Sequence, residues 1–287
     1  MVTLKHVIKQ ILPADVRHDL KRYKRKLKNA IKCNVRKTTI EDLRRALVDE
    51  LGIQRGDRIL VTSGFASLNA SYSPKQVIDL LKEIVGREGI IGMPYYPPMN
   101  STEWAEKKET FDMSTTKSGM GVLTNVFAKS EGVIMTMHPI KALCLWGNHG
   151  YQPDKHAKAL TPFYKDSPYM LFMGNNGKSI GLGVKNMPMF HMFEDLIFED
   201  YHYCYLKKMY ELKLIDTQGV EHYIRTLVHD GNLQDQAMMG GEYVNTLHDE
   251  NYKRVPFGYT FLYAANNQAL LETVRKRYAA GYTRWSK

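Results

Sequence analysis

The stretch SIGLGVKNMPMFHMFE, residues 179–194, decides the fold more than any other part of the chain. Residues 179–184 are a short apolar run with two glycines, which predicts a buried strand that ends in a tight turn. Residues 186–188 have the composition of that turn, and a helix is predicted over residues 192–201. This order of strand, turn and helix is typical of an α/β protein.

Two chemically active side chains follow the turn, His191 and Glu194. Residues three apart lie on one face of a helix, so the carboxylate is within reach of the imidazole. One interpretation is a general base whose carboxylate fixes the imidazole tautomer and stabilises the cation after proton uptake. The other is an ordinary helix start, where the helix dipole favours the acidic residue and the histidine is merely packed. The pair alone leaves both open.

Strand and helix patterns alternate along most of the chain, which favours an α/β fold. The predicted strands cover residues 58–62, 89–93, 133–135, 142–146 and 220–228, and the second is expected to stop at Pro94. The predicted helices include one capped by Thr39 with Asp42 and ending at Gly52, one over residues 74–85 and one over residues 270–280. Residues 95–118 show no clear periodicity, and a loop of this length is more often functional than idle.

The positive charge of the chain is concentrated at its N-terminus. The 287 residues have a net charge of +10. Residues 1–37 contain 12 Lys or Arg and two acidic residues, whereas residues 38–287 contain 28 basic and 28 acidic residues. Apolar residues recur in the N-terminal segment at spacings of three and four, which predicts a basic amphipathic helix. We therefore predict a helical extension over residues 1–37 and one domain over residues 38–287.

The basic extension has three interpretations. It could adsorb to an anionic membrane surface, dock onto a partner subunit, or pack on its own domain. Nucleic acid is not predicted as a partner, because the rest of the chain is neutral and shows no nucleic-acid-binding signature. A homo-oligomer is compatible with the sequence.

Several classes of protein are excluded by composition and motifs. The sequence has no run of 18 apolar residues and no apolar signal-peptide core. Its three cysteines, Cys33, Cys144 and Cys204, are far apart, which indicates a reduced cytoplasmic protein. The membrane interpretation of the basic extension would place the protein on the inner face of the membrane. No metal is predicted, because His138, His149, His156 and His191 lack HxH or HExxH spacing.

A Ser/Gly turn, SGFAS at residues 63–67, follows the first predicted strand. Its backbone N–H groups could hold a phosphate, although an ordinary strand-to-helix loop has the same composition. It is neither a Walker motif nor GxGxxG, and the chain has no GxSxG nucleophile turn.

Taken together, the motifs resemble the family of aminoglycoside 3-N-acetyltransferases in their order and spacing. The resemblance spans about residues 38–200, and residues 1–37 lie outside it. It rests on the following stretches: LGIQRGDRILV (51–61), GIIGMPY (89–95), FD (111–112), MG (120–121), GV (132–133), TMHP (136–139), FYKDSP (163–168), and GK to GV (177–184) followed by Asn186, His191 and Glu194. The sequence departs from the family pattern at residues 62–69, at Met135-Thr136 and at Pro188, which stands where the family has a threonine.

The resemblance implies an α/β fold with a central mixed sheet flanked by helices, and an acetyl-CoA-dependent N-acetyltransferase. In this family a histidine takes a proton from an amine that attacks the thioester directly, without an acyl-enzyme, which fits His191 with Glu194. The residues implied for CoA are Thr62, Ser63, Gly64 and Ser67. The residues implied for the acceptor are Tyr95, Asp112, His138 and His156.

Three functions follow from these observations. The first is acetylation of a primary amine on an amino sugar, free or nucleotide-linked, for surface polysaccharide synthesis. It is favoured by a basic arm suited to a membrane and by a neutral body that does not look specialised for a polycation. The second is acetylation of aminoglycoside antibiotics, which confers resistance. The third is a non-catalytic docking protein that uses the arm.

Overall fold

The computed structural model describes residues 36–163, 165–198 and 204–286. Its ten strands are β1 (Arg58–Ser63), β2 (Ile90–Tyr95), β3 (Phe111–Asp112), β4 (Ile134–Met135), β5 (Ala142–Gly147), β6 (Gly177–Leu182), β7 (Tyr205–Ile215), β8 (Glu221–His229), β9 (Tyr252–Phe257) and β10 (Thr260–Asn266). Seven of them form one mixed sheet in the order β4-β5-β2-β1-β6-β10-β9. The predicted α/β fold with a central mixed sheet is confirmed.

Helices cover both faces of this sheet. The α-helices are α1 (Ile40–Arg45), α2 (Pro74–Val85), α3 (Ser101–Glu106), α4 (Val122–Phe127), α5 (Met189–Ile197), α6 (Gly231–Gln236), α7 (Gly240–Leu247) and α8 (Asn267–Ala279). Buried side chains of α1 to α4 belong to one apolar core, and those of α5, α7 and α8 belong to a second core. The two cores are separated by the sheet, whose strands send alternate side chains to opposite faces.

The start of the domain follows the predicted pattern closely. Thr39 caps α1 and forms the predicted reciprocal pair with Asp42, each accepting a hydrogen bond from the other's backbone N–H. The helix continues as a π-helical turn over Ala46–Glu50 and ends before Gly52, whose φ is +70°. Helix α2 has the predicted bounds and ends at Gly86.

The prediction that β2 stops at Pro94 is wrong. The strand continues to Tyr95, with Pro94 opposite Leu143 of β5. On its other side β2 pairs with β1, and this pairing ends at Gly92. Proline has no N–H group to donate, but at position 94 there is no longer a partner residue on β1 to accept one.

A second sheet of three strands, β3-β7-β8, packs beside the first core. Residues 95–118, predicted as an irregular loop, contain α3 and β3. Strand β7 was not predicted as one element, because lysines and apolar residues mix along its exposed and buried positions.

Part of the sequence-based prediction lies outside the described residues. The basic extension falls on residues 1–37, of which only Arg36 and Lys37 are described, so the division at residue 37 stays a prediction. Cys144 and Cys204 are buried free thiols. Within the described part of the chain, every helix is too short or too polar to cross a bilayer.

Candidate active site

The carboxyl ends of three parallel strands, β1, β2 and β6, meet at one edge of the large sheet. Ser63, Tyr95 and Leu182 are the last residues of these strands. Ligands of open α/β sheets bind in the crevice outside such strand ends. Helix α5 follows β6 after a short turn and brings His191 to this edge.

Glycines allow the turns after β1 and β6 to pack against each other. Ser67 Oγ lies 2.7 Å from the carbonyl oxygen of Gly64 and 2.9 Å from that of Gly183. Gly183 has a φ of +70°, and a Cβ there would lie 2.1 Å from Ser67 Oγ. A Cβ on Gly181 would lie 1.9 Å from the Tyr263 ring. The two turns therefore pack closely against each other at the strand ends.

His191 is the third residue of α5 and is the candidate base. Its side chain is 19% exposed and its Nδ1 is buried, so Nε2 is the ring nitrogen left to meet an acceptor amine. The ring packs against Phe163 at 5.0 Å and His229 at 4.4 Å between centroids. A partly exposed imidazole at the strand ends is the geometry that a general base requires.

Burial lowers the pKa of His191 well below its usual range. The positive charges of Arg284 and Lys141 lower this pKa further. The imidazole is therefore neutral at pH 7, and its lone pair is available to accept a proton.

Glu194, the predicted partner of His191, has a stronger partner in Arg284. The guanidinium donates two hydrogen bonds to the carboxylate, from Nε to Oε1 at 2.7 Å and from Nη2 to Oε2 at 2.8 Å. Tyr278 donates a third, at 3.1 Å to Oε1. The distance from Glu194 Oε2 to His191 Nδ1 is 3.8 Å, which exceeds hydrogen-bond length. The pair is adjacent, as predicted, but the carboxylate does not hold the imidazole in this conformation.

The four residues expected to contact CoA lie at the end of β1. Thr62 is buried, and its hydroxyl lies within hydrogen-bond distance of main-chain carbonyls of Ile180 and Asn186. Ser67 is engaged in the turn described above. Ser63 Oγ is buried and, among the described residues, has no hydrogen-bond partner, so it is the free polar group of this set. Gly64 lies against Val184 and Gly183.

Tyr95 ends β2 at the same edge of the sheet, but its ring packs in the core shared by α1 to α4, opposite the core that contains α5. Asp112 follows Phe111 of that first core. Tyr95 lines a cleft of about 860 Å³ between α2, α4 and residues 114–117, and its hydroxyl donates to the carbonyl of Thr116 at 2.9 Å. Asp112 caps the turn at the edge of this cleft, and hydrogen bonds from the N–H groups of Ser114 and Thr115 lower its carboxyl pKa. We refer to this surface as the lysine cleft, because basic residues outnumber acidic ones in its lining. The basic residues are Lys75, Lys82, Lys117 and Lys129, and the acidic ones are Asp79 and Glu131.

The expected contact of His138 and His156 with the acceptor disagrees with their burial. Both side chains are fully inaccessible. His156 Nδ1 lies 2.8 Å from Thr136 Oγ1 and Nε2 lies 2.9 Å from the carbonyl of Pro162, while His138 Nε2 lies 3.3 Å from Thr226 Oγ1. The segment between β4 and β5 carries His138 and the helical turn Pro153–Lys158 carries His156 into the interior, where the two rings lie 4.7 Å apart between centroids.

Four residues near His191 were not anticipated from the sequence. Lys141 packs over the Tyr96 ring at 4.1 Å, and burial lowers its pKa to about 8. Asp195 is buried with the hydroxyls of Thr161 and Tyr205, and burial raises its pKa to about 7. His229 and Arg284 complete the set. No local sequence motif identifies any of the four. His229 and Arg284 also lie beyond residues 38–200, the part of the chain that carries the family motifs.

Metal ligation finds no support in the geometry. Within residues 36–163, 165–198 and 204–286, no three His, Cys, Asp or Glu side chains are placed to bind one ion.

Comparison with known proteins identifies the family. The model of a family described as aminoglycoside 3-N-acetyltransferase matches residues 60–279, and the chain belongs to this family. Solved structures with the same fold include aminoglycoside acetyltransferase AAC(3)-Xa (TM-score 0.70, 17% identity, 92% of this chain and 99% of that chain). They also include AAC-IIIb in a binary complex with CoASH (0.67, 17%, 88% and 100%) and AAC-VIa bound to sisomicin (0.66, 16%, 86% and 99%).

The predicted family and the predicted enzyme class, an N-acetyltransferase, are thereby confirmed. Family membership, with a relative solved as a CoASH complex, also supports the predicted co-substrate, acetyl-CoA.

Proposed function

We propose that the chain transfers the acetyl group of acetyl-CoA to a primary amine of an amino sugar, with His191 as the general base. The observation that carries this proposal is the neutral, partly exposed imidazole at the ends of the parallel strands. Family membership supports the reaction class, and the ring environment supports the identity of the base.

Each step of the proposed reaction conserves atoms and charge. The amine nitrogen attacks the thioester carbonyl, and His191 Nε2 takes a proton from that nitrogen. The C–S bond of the tetrahedral intermediate breaks, and the proton on Nε2 passes to the departing thiolate. A base with a low pKa releases that proton readily, so the imidazole returns to its neutral form.

The residues at the end of β1 fit a contact with CoA. Ser63 Oγ is a buried hydroxyl with no partner among the described residues, and such a group gains a hydrogen bond when a ligand supplies one. We assign Ser63 and Gly64 to this contact, with Thr62 and Ser67 fixing the turn that presents them.

The relatives support an aminoglycoside as the acceptor. One of them is described as bound to sisomicin, and the family itself is described by this activity. The proposal therefore takes an aminoglycoside amine as the first acceptor to test, in preference to a nucleotide-linked sugar.

One observation favours a nucleotide-linked amino sugar as a second candidate. The lysine cleft contains four lysines and two acidic residues beside Tyr95. Its positive charge suits phosphates better than a polycationic drug. A role for this acceptor in surface polysaccharide synthesis, and a docking of residues 1–37 on an anionic membrane, remain predictions.

Release of free CoA thiol tests the proposal directly. With a panel of aminoglycosides and nucleotide-linked amino sugars, the wild type should turn over at least one acceptor, and His191→Gln should lower kcat roughly 10²- to 10⁴-fold. His222→Gln is the matched control, because His222 is another partly exposed histidine, but it lies on the β7–β8 hairpin, where it pairs with Asp216 at 2.7 Å. Equal activity of His191→Gln and the wild type would contradict the assignment of the base.

A further inference from the structure

His229, the last residue of β8, is enclosed by aromatic rings beside the candidate base. Its side chain is buried and stacks on Tyr205, with 4.2 Å between ring centroids and 23° between ring planes. The ring of His191 lies 4.4 Å away at 41°, and that of Phe163 lies 5.4 Å away. The backbone fixes this position, because the carbonyl of His229 accepts a hydrogen bond from Thr102 Oγ1 at 2.8 Å.

Three buried ring nitrogens meet at this contact without partners. Nδ1 and Nε2 of His229 and Nδ1 of His191 are inaccessible to solvent and, within the described part of the chain, make no hydrogen bond. A buried nitrogen without a partner costs free energy, so most such atoms in folded proteins are paired. Three of them in two touching rings therefore call for an explanation in terms of function.

The carboxylate of Glu194 does not satisfy His191 Nδ1. It lies 3.8 Å away, and its oxygens already accept hydrogen bonds from Arg284 and Tyr278. Turning either oxygen toward His191 would weaken a bidentate, charge-assisted pair, which is among the stronger hydrogen-bonded arrangements in proteins. The neighbouring imidazole has no such competing bond.

We propose that His229 is the positioning residue that orients His191, through a hydrogen bond from His191 Nδ1–H to a ring nitrogen of His229. The inference rests on the proposed function, since it assumes that His191 is the base. The rings now make a tilted contact, and the bond forms when they rotate from it so that the two nitrogens face each other. It holds the proton of neutral His191 on Nδ1, so the lone pair is on Nε2, where the amine arrives.

The same bond also assists the charged stage of the reaction. When Nε2 takes the proton from the amine, the positive charge of His191 is shared through Nδ1–H with the neutral imidazole of His229. Burial, together with the charges of His191, Lys141 and Arg284, lowers the pKa of His229 well below its usual range, so His229 remains an acceptor. No proton leaves His191 by this route, and the one on Nε2 still passes to the thiolate.

The tautomer of His191 is the first test, because it is measured in the wild-type enzyme and a variant serves only to assign the signal. In protein with ¹⁵N-labelled histidine, the signal of His191 is assigned by its loss in His191→Gln. We expect a pyrrole-type shift at Nδ1 and a pyridine-type shift at Nε2. The opposite tautomer would overturn the proposal.

His229→Phe provides the second test. Phenylalanine keeps the stacking on Tyr205 and Phe163 but cannot accept a hydrogen bond, so kcat should fall by about 10²-fold while KM for acetyl-CoA changes less than about twofold. The melting temperature should not fall, because two unpaired nitrogens are removed from the interior. The His191 signal should shift toward a mixture of tautomers, which a purely structural role of His229 would not produce.

Two further variants separate the remaining explanations. His229→Asn restores an acceptor atom and should retain more kcat than His229→Phe. If Glu194→Gln changes the His191 tautomer and His229→Phe does not, Glu194 is the orienting residue and the proposal is wrong. If His191→Gln is fully active, the proposed function itself is wrong. If His191→Gln is inactive but His229→Phe has wild-type kcat, the proposed function stands and only the role of His229 is wrong.

Discussion

At the scale of single residues, the contact between Glu194 and Arg284 connects the candidate site to the end of the chain. Arg284 is almost completely buried, and besides Glu194 its Nη1 donates to the carbonyl of Met238 at 3.1 Å. Its guanidinium also lies over the ring of Phe190 at 5.4 Å. One cation therefore neutralises Glu194 beside His191 and fastens the C-terminal segment to α5.

Removal of the Arg284 guanidinium should destabilise the fold. In Arg284→Met, the carboxylate of Glu194 stays buried with Tyr278 as its remaining donor. We expect the free energy of unfolding to fall by about 3–5 kcal/mol, as for other buried ion pairs that lose one partner. Urea denaturation at pH 7.5 measures this change.

A double-mutant cycle with Glu194→Gln distinguishes a paired charge from simple packing. The combined variant should lose much less stability than the sum of the two single losses, because neither charge is left alone. Arg275→Met is the surface control, since Arg275 and Glu272 form an exposed pair that contributes little. Additive losses in the cycle would contradict the ion pair as the source of the stability.

At the scale of secondary structure elements, the lysine cleft between α2 and α4 should bind phosphate groups. Among the described residues, Lys117 and Lys129 form no ion pair, whereas Lys75 pairs with Asp79. In the double variant Lys117→Met/Lys129→Met, KM of the phosphate-bearing substrate should rise roughly 3- to 10-fold, with a weaker salt dependence. Steady-state kinetics with acetyl-CoA and a nucleotide-linked amino sugar measures the change.

The substrate whose KM rises identifies the occupant of the cleft. A rise for the nucleotide-linked sugar supports the second candidate acceptor. A rise for acetyl-CoA instead places the CoA phosphates there and removes the observation that favours this acceptor. The control Lys253→Met/Lys276→Met removes the same charge from β9 and α8, and equal effects of both pairs would exclude a specific site.

Sequence patterns predicted the elements whose signals are local. The capping pair of Thr39 and Asp42 and the glycine turn after β6 depend on neighbours in the chain, and they appear in the structure as expected. The extension of β2 through Pro94 depends on its pairing with β5. The local sequence of β2 does not show which strands will lie beside it. The same limit explains why β7, half exposed along its length, was not recognised.

The candidate site was predictable only in part, for the same reason. His191 lies directly after a strand and turn, so its place at the strand ends follows from the local sequence. Arg284 and His229 reach it from distant elements, and only the fold brings them within hydrogen-bond or ring contact. The burial of His138 and His156 likewise results from the packing of the segment before β5 and of the helical turn after it.

At the scale of the whole molecule, buried titratable groups make stability depend on pH. Four imidazoles, those of His138, His156, His191 and His229, are neutral in the fold because burial lowers their pKa, that of His156 to about 3. In the unfolded chain they take up protons below about pH 6.5. Burial raises the pKa of two carboxyls, Glu194 and Asp195, which opposes this effect because the folded state binds their protons first.

The imidazoles outnumber the carboxyls, so the unfolded state should bind more protons in total between pH 6.5 and 5. The free energy of unfolding should therefore fall as pH is lowered through this range, by roughly 2–3 kcal/mol per pH unit. His156→Gln should reduce this slope by about 1.4 kcal/mol per pH unit, the equivalent of one proton. Glutamine can still accept from Thr136 and donate to the Pro162 carbonyl, so the packing is kept while the titration is lost. Urea denaturation of both proteins at pH 7.5, 6.5 and 5.5 measures the slopes, and an unchanged slope in the variant would show that His156 is not held neutral by the fold.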